Sequence, residues 1–308
     1  MDNLKYLAYL DDRVGDLSDK TIVITGANSG IGFYASRLLA AKGARVVMAC
    51  RSVGRAEKAR AEILETLPGV QIDILIYDQA SFSSIEKFSL ELQNKYSKID
   101  GFVFNAGIFH PKKDALTTDG YPLTIGTNYL GTFYLFELLR PYFSKMDSVN
   151  VVCVGSLANR RYKYQNIQSY FTSDKLTLYR QYALSKKFMM ANHYFFMNQK
   201  SGGIRYSMMH PGVASTNIVS GASSSFPRWF SRIARNFMNV FMCPPEKSAL
   251  GIALLASQDD SHGRYLIPRG LFGISGYPKD KAVPKRIACF ARGVHESTFD
   301  FFHKLGKL

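Results

Sequence analysis

Residues 21–32 read TIVITGANSGIG, a run of β-branched residues followed at once by a glycine-rich stretch. The run Thr21–Thr25 is typical of a short buried strand, and Ile31–Ala41 has the apolar spacing of a helix. Glycines between a strand and a helix let the backbone approach a phosphate, and the helix N-terminus offers free N–H groups and a partial positive charge. The stretch therefore predicts a dinucleotide-binding loop, with an ordinary glycine-rich turn as the alternative.

Strand-like and helix-like stretches continue to alternate after this loop. Short runs rich in Ile and Val predict strands at Arg45–Ala49, Gln71–Tyr77, Ile99–Phe104, Val149–Val154 and Ile204–Met209. Helical spacing predicts helices at Arg55–Leu67, Ser83–Tyr96, Tyr129–Phe143 and Leu178–Asn198. Such alternation requires right-handed βαβ crossovers, so the predicted class is α/β, a Rossmann fold whose doubly wound parallel sheet binds ligands at the carboxyl ends of its strands.

The whole chain, residues 1–308, is interpreted as a single NAD(P)-binding Rossmann domain, because no Pro/Gly-rich linker interrupts the alternation. We expect about residues 20–215 to form the dinucleotide-binding and catalytic core, and about residues 216–308 to form a substrate lid and a C-terminal cap. Within the latter, a helix is predicted at Pro245–Ser257 and a short strand at Tyr265–Ile267. With 46% hydrophobic and 20% charged residues, the bulk of the chain is not disordered.

The chain carries 39 basic and 24 acidic residues, and its formal net charge of +15 indicates an anionic partner. The basic residues are scattered and no recognised nucleic-acid motif is present, so we expect no nucleic-acid partner. The four cysteines and the histidines lack metal-ligand spacing, and no metal site is expected. No apolar run reaches the length of a membrane span and no secretory signal is visible, so the expected location is the cytoplasm.

Further motifs follow the loop in a fixed order along the chain. They are Phe104-Asn105-Ala106-Gly107 after the fourth strand, Asn128 in TNYLG, Ser156 after the fifth strand, Tyr182 and Lys186 in YALSK, and Pro211-Gly212 with Thr216 after the sixth. Together with the loop, they resemble the classical short-chain dehydrogenase/reductase family over about Lys20–Ile267. The extra segment Arg160–Arg180 and the stretches ACRS, NYLGTFYL and HPG are most similar to its retinol dehydrogenase-like and carbonyl reductase branch. Phe104 departs from the family's usual Asn-Asn-Ala-Gly.

Tyr182 and Lys186 stand four residues apart and so share one face of a helix. A free tyrosine has a pKa near ~10, and we expect a neighbouring ammonium and an oxidised nicotinamide to lower the pKa of Tyr182. The resemblance implies that Tyr182 is the general acid/base and that Lys186 tunes it and binds the nicotinamide ribose. It also implies that Ser156 hydrogen-bonds the substrate oxygen and that Asn128 holds a water between Lys186 and solvent. The alternatives are a surface i,i+4 pair on a solvated face for Tyr182 and Lys186, a turn cap for Ser156 and a backbone cap for Asn128.

The resemblance also implies a set of cofactor contacts. They are Gly26, Asn28, Ser29, Gly30, Ile31, Arg51, Asp78, Asn105, Ala106, Gly107, Tyr182, Lys186, Pro211, Gly212, Val213 and Thr216. After the second strand, Cys50 occupies the position of the acid that binds the ribose 2′-OH in NAD enzymes, and Arg51 lies beside it. NADP(H) is therefore the predicted cofactor. Arg55 is either a second contact or an exposed helix-start arginine, and Asp78 is either an adenine contact or an N-cap.

These features predict an NADP(H)-dependent oxidoreductase that interconverts an alcohol and a ketone or aldehyde, with a lipophilic small-molecule substrate. The alternative is a catalytically silent nucleotide-binding scaffold or regulatory protein of the same fold. The segment Phe226–Met242 has an apolar stripe with Trp229 and a basic side, and three interpretations stay open for it. It is a packed helix, a lid hinged at Ser220–Ser225, or a peripheral contact with anionic membrane. His210 is interpreted as a structural residue, and the substrate, the reaction direction and a homo-oligomeric state are left open.

Overall fold

A computed structural model describes residues 4–109, 111, 115–160, 166–173, 175–199, 202–212, 243–270 and 273–308. In these residues, eight strands form one sheet in the order β3-β2-β1-β4-β5-β6-β7-β8. The strands are β1 (Thr21–Thr25), β2 (Arg45–Cys50), β3 (Ile72–Ile76), β4 (Gly101–Phe104), β5 (Val149–Val154), β6 (Ile204–Met209), β7 (Tyr265–Pro268) and β8 (Pro278–Asp280). All neighbouring pairs are parallel except β7 with β8. The predicted doubly wound α/β class is confirmed, and β8 is an antiparallel edge strand that the sequence patterns did not indicate.

Ten α-helices are present in the described residues, and the six whose bounds were predicted agree to within a few residues at most boundaries. The ten helices are α1 (Leu4–Asp11), α2 (Gly30–Ala41), α3 (Val53–Thr66), α4 (Phe82–Lys95), α5 (Leu123–Ile125), α6 (Gly131–Phe143), α7 (Leu178–Met197), α8 (Pro245–Ser257), α9 (Lys285–Ala288) and α10 (Ala291–Lys304). No helix in the described part of the chain is both long enough and apolar enough to cross a membrane.

The helix predicted at Tyr129–Phe143 begins earlier than expected, and its first part is irregular. Residues Gly126–Leu130 form a π-helical segment that joins α5 directly to α6. Such segments widen a helix by one residue per turn and recur at functional sites. Gly131 follows the segment, and a Cβ atom there would overlap the carbonyl oxygen of Gln79. The helix can therefore lie against the loop after β3 only because residue 131 is glycine.

Apolar side chains fill both faces of the sheet, as the uniformly buried parallel strands require. On one face, α2 and α8 pack with the N-terminal helix α1. On the other, α4, α6, α7 and α10 enclose a largely aromatic layer. Phe104, at the position where the related family usually has asparagine, is buried there with its ring 4.7 Å from that of Phe102. Phe302 of α10 stacks on Phe133 and Tyr134 at ring separations of 5.5 and 5.2 Å, so the C-terminal helix covers α6.

Four sets of residues singled out in the sequence lie outside the described part of the chain. They are Val213, Thr216, the Ser220–Ser225 stretch and Phe226–Met242, which includes Trp229.

Candidate active site

The loop between β1 and α2 leaves a cradle that only glycine permits. Gly26 and Gly30 have φ angles of +67° and +56°, in the left-handed region that other residues rarely adopt. A Cβ atom at Gly32 would lie 2.5 Å from the carbonyl oxygen of Gly26 and 2.6 Å from Nδ2 of Asn105. Ser29 is the N-cap of α2, but its side chain makes no capping hydrogen bond. The helix end therefore offers backbone N–H groups to an anion, and the cradle fits the pyrophosphate of a dinucleotide.

Thr25, the last residue of β1, holds the loop in place by hydrogen bonds, and no sequence motif indicated a role for it. Its Oγ1 accepts hydrogen bonds from the backbone amides of Asn105 and Ala106, both at 3.0 Å, and donates to the carbonyl of Val103 at 3.1 Å. The Nδ2 atom of Asn105 donates in return to the carbonyl of Thr25 at 2.8 Å. These bonds join the glycine loop to the Asn105-Ala106-Gly107 stretch. The signal that could have revealed Thr25 is a hydroxyl residue directly before the first glycine.

The end of β2 carries no carboxylate. Cys50 is buried, and burial raises the pKa of its thiol to about 11, against the opposing effect of the backbone amides of Ala27 and Asn28 and of the Arg55 charge. The thiol therefore lies beneath the glycine loop and within electrostatic reach of Arg55. Arg51, the next residue, is exposed. This corner of the site combines a neutral buried group with two cationic side chains.

Asp78 lies in the loop after β3, where its side chain shapes a turn. Its Oδ1 accepts from the backbone amide of Ala80 at 3.0 Å, and its own amide donates to Oγ of Ser84 at 3.0 Å. The N-cap of α4 is Ser81, so the N-cap alternative for Asp78 is wrong. Contact between Asp78 and adenine stays a prediction.

Ser156, Tyr182 and Lys186 come together beyond the carboxyl end of β5. Tyr182 and Lys186 project from the first half of α7, and the hydroxyl of Ser156 is hydrogen-bonded to the Tyr182 phenol. Lys186 is only 5% exposed, and its Nζ donates to the carbonyl of Val154 at 3.1 Å. Burial lowers the pKa of Lys186 to about 8. The solvated surface position that was the alternative for Lys186 is therefore not what the structure has.

The environment of Tyr182 differs from the one expected from the sequence. Its pKa is raised, because burial outweighs the hydrogen bond from Ser156 and because Tyr179 adds to the increase. The expected lowering of the Tyr182 pKa does not occur in the protein alone, because the desolvation of the buried phenol dominates. The ring of Phe109 packs edge-on against Tyr182, with ring centroids 4.7 Å apart. Tyr182 is thus a protonated phenol in largely apolar surroundings.

Asn128 lies in the π-helical segment and is fully buried. Its Oδ1 accepts from the backbone amide of Ile108 at 2.7 Å, and its Nδ2 donates to the Ile108 carbonyl at 2.8 Å and to Ser185 Oγ at 3.2 Å. A Cβ atom at Gly107 would lie 3.2 Å from Asn128 Oδ1 and 3.3 Å from Lys186 Nζ. Asn128 therefore does not cap its own helix. Its amide instead holds the backbone of Ile108, in the loop after β4, beside Lys186.

Pro211 and Gly212 follow β6, and so lie at the same carboxyl edge of the parallel strands as Ser156 after β5. Gly212 has a φ angle of +84°, and its amide donates to Nδ1 of His210 at 3.1 Å. Because Nδ1 accepts, the ring proton lies on Nε2, which is 3.0 Å from the carbonyl of Gly273. The buried His210 ring thus joins the loop after β6 to the loop that contains Gly273. The Pro211 carbonyl accepts from Ser248 Oγ at 2.8 Å.

Comparison with known proteins gives consistent matches. Residues 20–225 match the family model described as short chain dehydrogenase. The WW domain-containing oxidoreductase of Gallus gallus is 39% identical over 145 residues, which are 47% of this chain and 35% of that protein. Retinol dehydrogenase 14 of Mus musculus is 29% identical over 272 residues, covering 82% of this chain and 78% of that protein. A crystal structure of an uncharacterised protein from Mycobacterium Paratuberculosis has a TM-score of 0.73 at 26% identity, with 94% of this chain and 95% of that chain covered. The chain thus spans about a third of the length of the first of these relatives, and most of the second.

Proposed function

Because this chain belongs to the short chain dehydrogenase family, we propose that it is an NADP(H)-dependent oxidoreductase that interconverts an alcohol and a ketone or aldehyde. The observation that supports this most is that Ser156, Tyr182 and Lys186 lie together, with Lys186 next to Gly107 of the Asn105-Ala106-Gly107 stretch. A hydroxyl pair next to a buried lysine is an arrangement that can exchange a proton with a substrate oxygen.

The residues present fit a nicotinamide dinucleotide. The glycine loop would hold the pyrophosphate, Asp78 the adenine, and Asn105-Ala106-Gly107 with Pro211-Gly212 the nicotinamide half. Bound there, the cofactor would donate or accept a hydride at the substrate carbon.

NADP(H) is favoured over NAD(H) by the end of β2. Cys50 provides no carboxylate for a ribose 2′-OH, whereas Arg51 is exposed and Arg55 lies close enough to act on the Cys50 thiol. Guanidinium groups bind phosphate in two-point geometry, so this corner suits a 2′-phosphate.

Tyr182 would donate the proton when a carbonyl oxygen is reduced. Its raised pKa keeps the phenol protonated at neutral pH, which is the form that donates. Ser156, bonded to the same phenol, would share the substrate oxygen and stabilise the charge that develops on it. Lys186, with a pKa of about 8, can gain or lose a proton close to neutral pH and so replace the one that Tyr182 gives up.

A lipophilic substrate is supported by the side chains next to Tyr182. Phe109 packs edge-on against Tyr182 and against Tyr179, with ring centroids 4.7 and 6.5 Å apart. Aromatic walls of this kind line sites that bind apolar molecules.

The test is a screen of NADPH oxidation against a panel of aliphatic and aromatic ketones and aldehydes, repeated with Tyr182→Phe. The substitution removes one exchangeable proton, so turnover should fall by roughly 10²-fold or more while NADPH binding, followed by fluorescence, is unchanged. Tyr194→Phe is the control, because it removes the same hydroxyl from the same helix about three turns away from Tyr182. Retention of more than about a tenth of wild-type kcat in Tyr182→Phe would contradict the assignment of the acid/base. Tight NADPH binding without turnover on any compound would favour the scaffold alternative.

Three further expectations stay predictions. They are the cytoplasmic location with peripheral membrane contact, the division into a core of about residues 20–215 and a lid and cap of about residues 216–308, and the lid role of Phe226–Met242.

A further inference from the structure

Gln79 follows Asp78 in the loop after β3 and is only 5% exposed. Its Nε2 donates to the carbonyl of Thr127 at 2.5 Å and to Oγ1 of Thr132 at 2.9 Å, with a longer contact of 3.4 Å to the carbonyl of Ala106. Its Oε1 accepts from the hydroxyl of Tyr77 at 3.0 Å. One buried amide thus contacts the strand end that carries the Asn105-Ala106-Gly107 stretch and the π-helical segment that carries Asn128.

The π-helical segment needs partners of this kind. Its wider turn interrupts the regular pairing of each carbonyl with the amide four residues on, so carbonyls there can accept hydrogen bonds from side chains. Thr127 accepts from Gln79, while the carbonyl of Asn128 itself accepts from Thr132 Oγ1 at 3.0 Å. Because Thr132 Oγ1 in turn accepts from Gln79, a continuous chain of hydrogen bonds runs from Gln79 through Thr132 to the backbone of Asn128.

The backbone of Gln79 holds the same segment from a second direction. Its carbonyl oxygen lies too close to Gly131 for a Cβ atom there, so the start of α6 rests directly on this carbonyl. Side chain and main chain together set the position of the turn relative to β3 and β4.

We propose that Gln79 is a positioning residue for the active site: its amide holds the π-helical turn in the place from which Asn128 braces Ile108 beside Lys186. This inference rests on the proposed function, because the role of Asn128 is that of the proposed active site. It also joins the loop of Asp78, the expected adenine contact, to the catalytic end of the site.

The first experiment replaces Gln79 with methionine, which keeps the length of the side chain and removes its donors. We expect the kcat of Gln79→Met for carbonyl reduction to fall roughly tenfold, because the turn that carries Asn128 loses the donor that holds it. Hydrogen exchange of backbone amides in residues 123–132, measured without cofactor, should become faster. Gln93→Met is the matched control, since among the described residues Gln93 bonds only within its own helix, to Ser89.

The second experiment uses Gln79→Glu and the pH profile. A carboxylate cannot donate to the Thr127 carbonyl, whereas a protonated carboxyl can donate one hydrogen bond. The kcat of this variant divided by that of wild type should therefore rise as the pH is lowered from 8 towards 5. A side chain that only fills space would give a ratio independent of pH. The variant also serves if Gln79→Met does not fold.

The inference is overturned if the variants keep wild-type kcat and wild-type exchange in residues 123–132, or if the kcat ratio of Gln79→Glu is flat with pH. A wild-type protein without turnover would instead contradict the proposed function. In that case faster exchange in Gln79→Met would still support the structural half of the inference, that Gln79 holds the turn, so the two failures are distinguishable.

Discussion

The burial of Lys186 predicts a pH-dependent change in stability. The pKa of this lysine falls from 10.5 to about 8 because the ammonium is desolvated. At roughly 1.4 kcal/mol for each pH unit, the protonated side chain costs the folded state about 3 kcal/mol. Below pH 8 the lysine is protonated in both states, so the full cost applies. Between pH 8 and 10.5 the unfolded chain binds the proton more than the folded chain does, and stability therefore rises with pH.

The comparison of wild type with Lys186→Met isolates this effect, because other titrating groups cancel between the two proteins. Measured by urea unfolding without cofactor, the stability of wild type relative to Lys186→Met should be constant from pH 6.5 to 7.5. It should then increase by about 2 kcal/mol by pH 9.5. Gln181→Met, on the same helix, is the control and should give a difference that does not vary with pH, since no titrating group is removed. A flat profile for Lys186→Met would show that the ammonium is not destabilised by burial, and it would remove the argument that Lys186 exchanges protons near neutral pH.

Three other predictions concern the cofactor and the lid. Arg51→Asp should weaken NADPH binding and raise the relative affinity for NADH, because a carboxylate repels the 2′-phosphate and can accept a hydrogen bond from a 2′-OH. Arg60→Asp on α3 is the charge-matched control. If titrations of both cofactors show an unchanged preference in Arg51→Asp, Arg51 is not part of the site. Gly32→Ala should destabilise the protein by about 1–3 kcal/mol and weaken cofactor binding, since its Cβ would lie 2.5 Å from a backbone carbonyl oxygen. Gly54→Ala is the control, because a Cβ atom added there would have no neighbouring atom within 4 Å outside its own helix. It should be neutral or stabilising by about 0.5 kcal/mol in thermal unfolding, and equal losses of stability in the two variants would contradict the steric explanation. Trp229 is the only tryptophan, so its fluorescence emission reports on the segment Phe226–Met242. A change in emission when substrate is added would support a lid, and a salt-sensitive blue shift with anionic vesicles would support membrane contact. No response to either addition would support the packed helix.

Local sequence was sufficient for most of the fold. The apolar runs of β1, β2, β4, β5 and β6 and the helical spacing of α2 and α7 are short-range patterns, so each could be identified from a window of a few residues. The glycine loop was also predictable, because a left-handed backbone and a close approach each require glycine at a stated position. By contrast, β8 is a three-residue edge strand, and α1 is an eight-residue helix outside the alternation; neither has a strong periodic signal.

The candidate site was predictable as a set of residues but not as an environment. The spacing of Tyr182 and Lys186 placed them on one helix face, and motif order associated them with Ser156 and Asn128. That the pKa of Tyr182 is raised could not be read from this spacing, because burial depends on residues such as Phe109 that reach the phenol only in the folded chain.

The sequence by itself therefore determined the class of fold and the glycine loop, since these depend on patterns within one element or its neighbour. The candidate catalytic residues were identified by the resemblance of their motifs to a known family. Tertiary structure alone decided the roles of Thr25 and Gln79 and the π-helical turn that carries Asn128. Thr25 bonds residues about 80 positions away, and Gln79 bonds residues about 50 positions away. The physical reason is that a hydrogen bond between distant residues leaves no periodic trace in the sequence, and its donors and acceptors meet only when strands β1, β3 and β4 lie side by side with α6 across their ends.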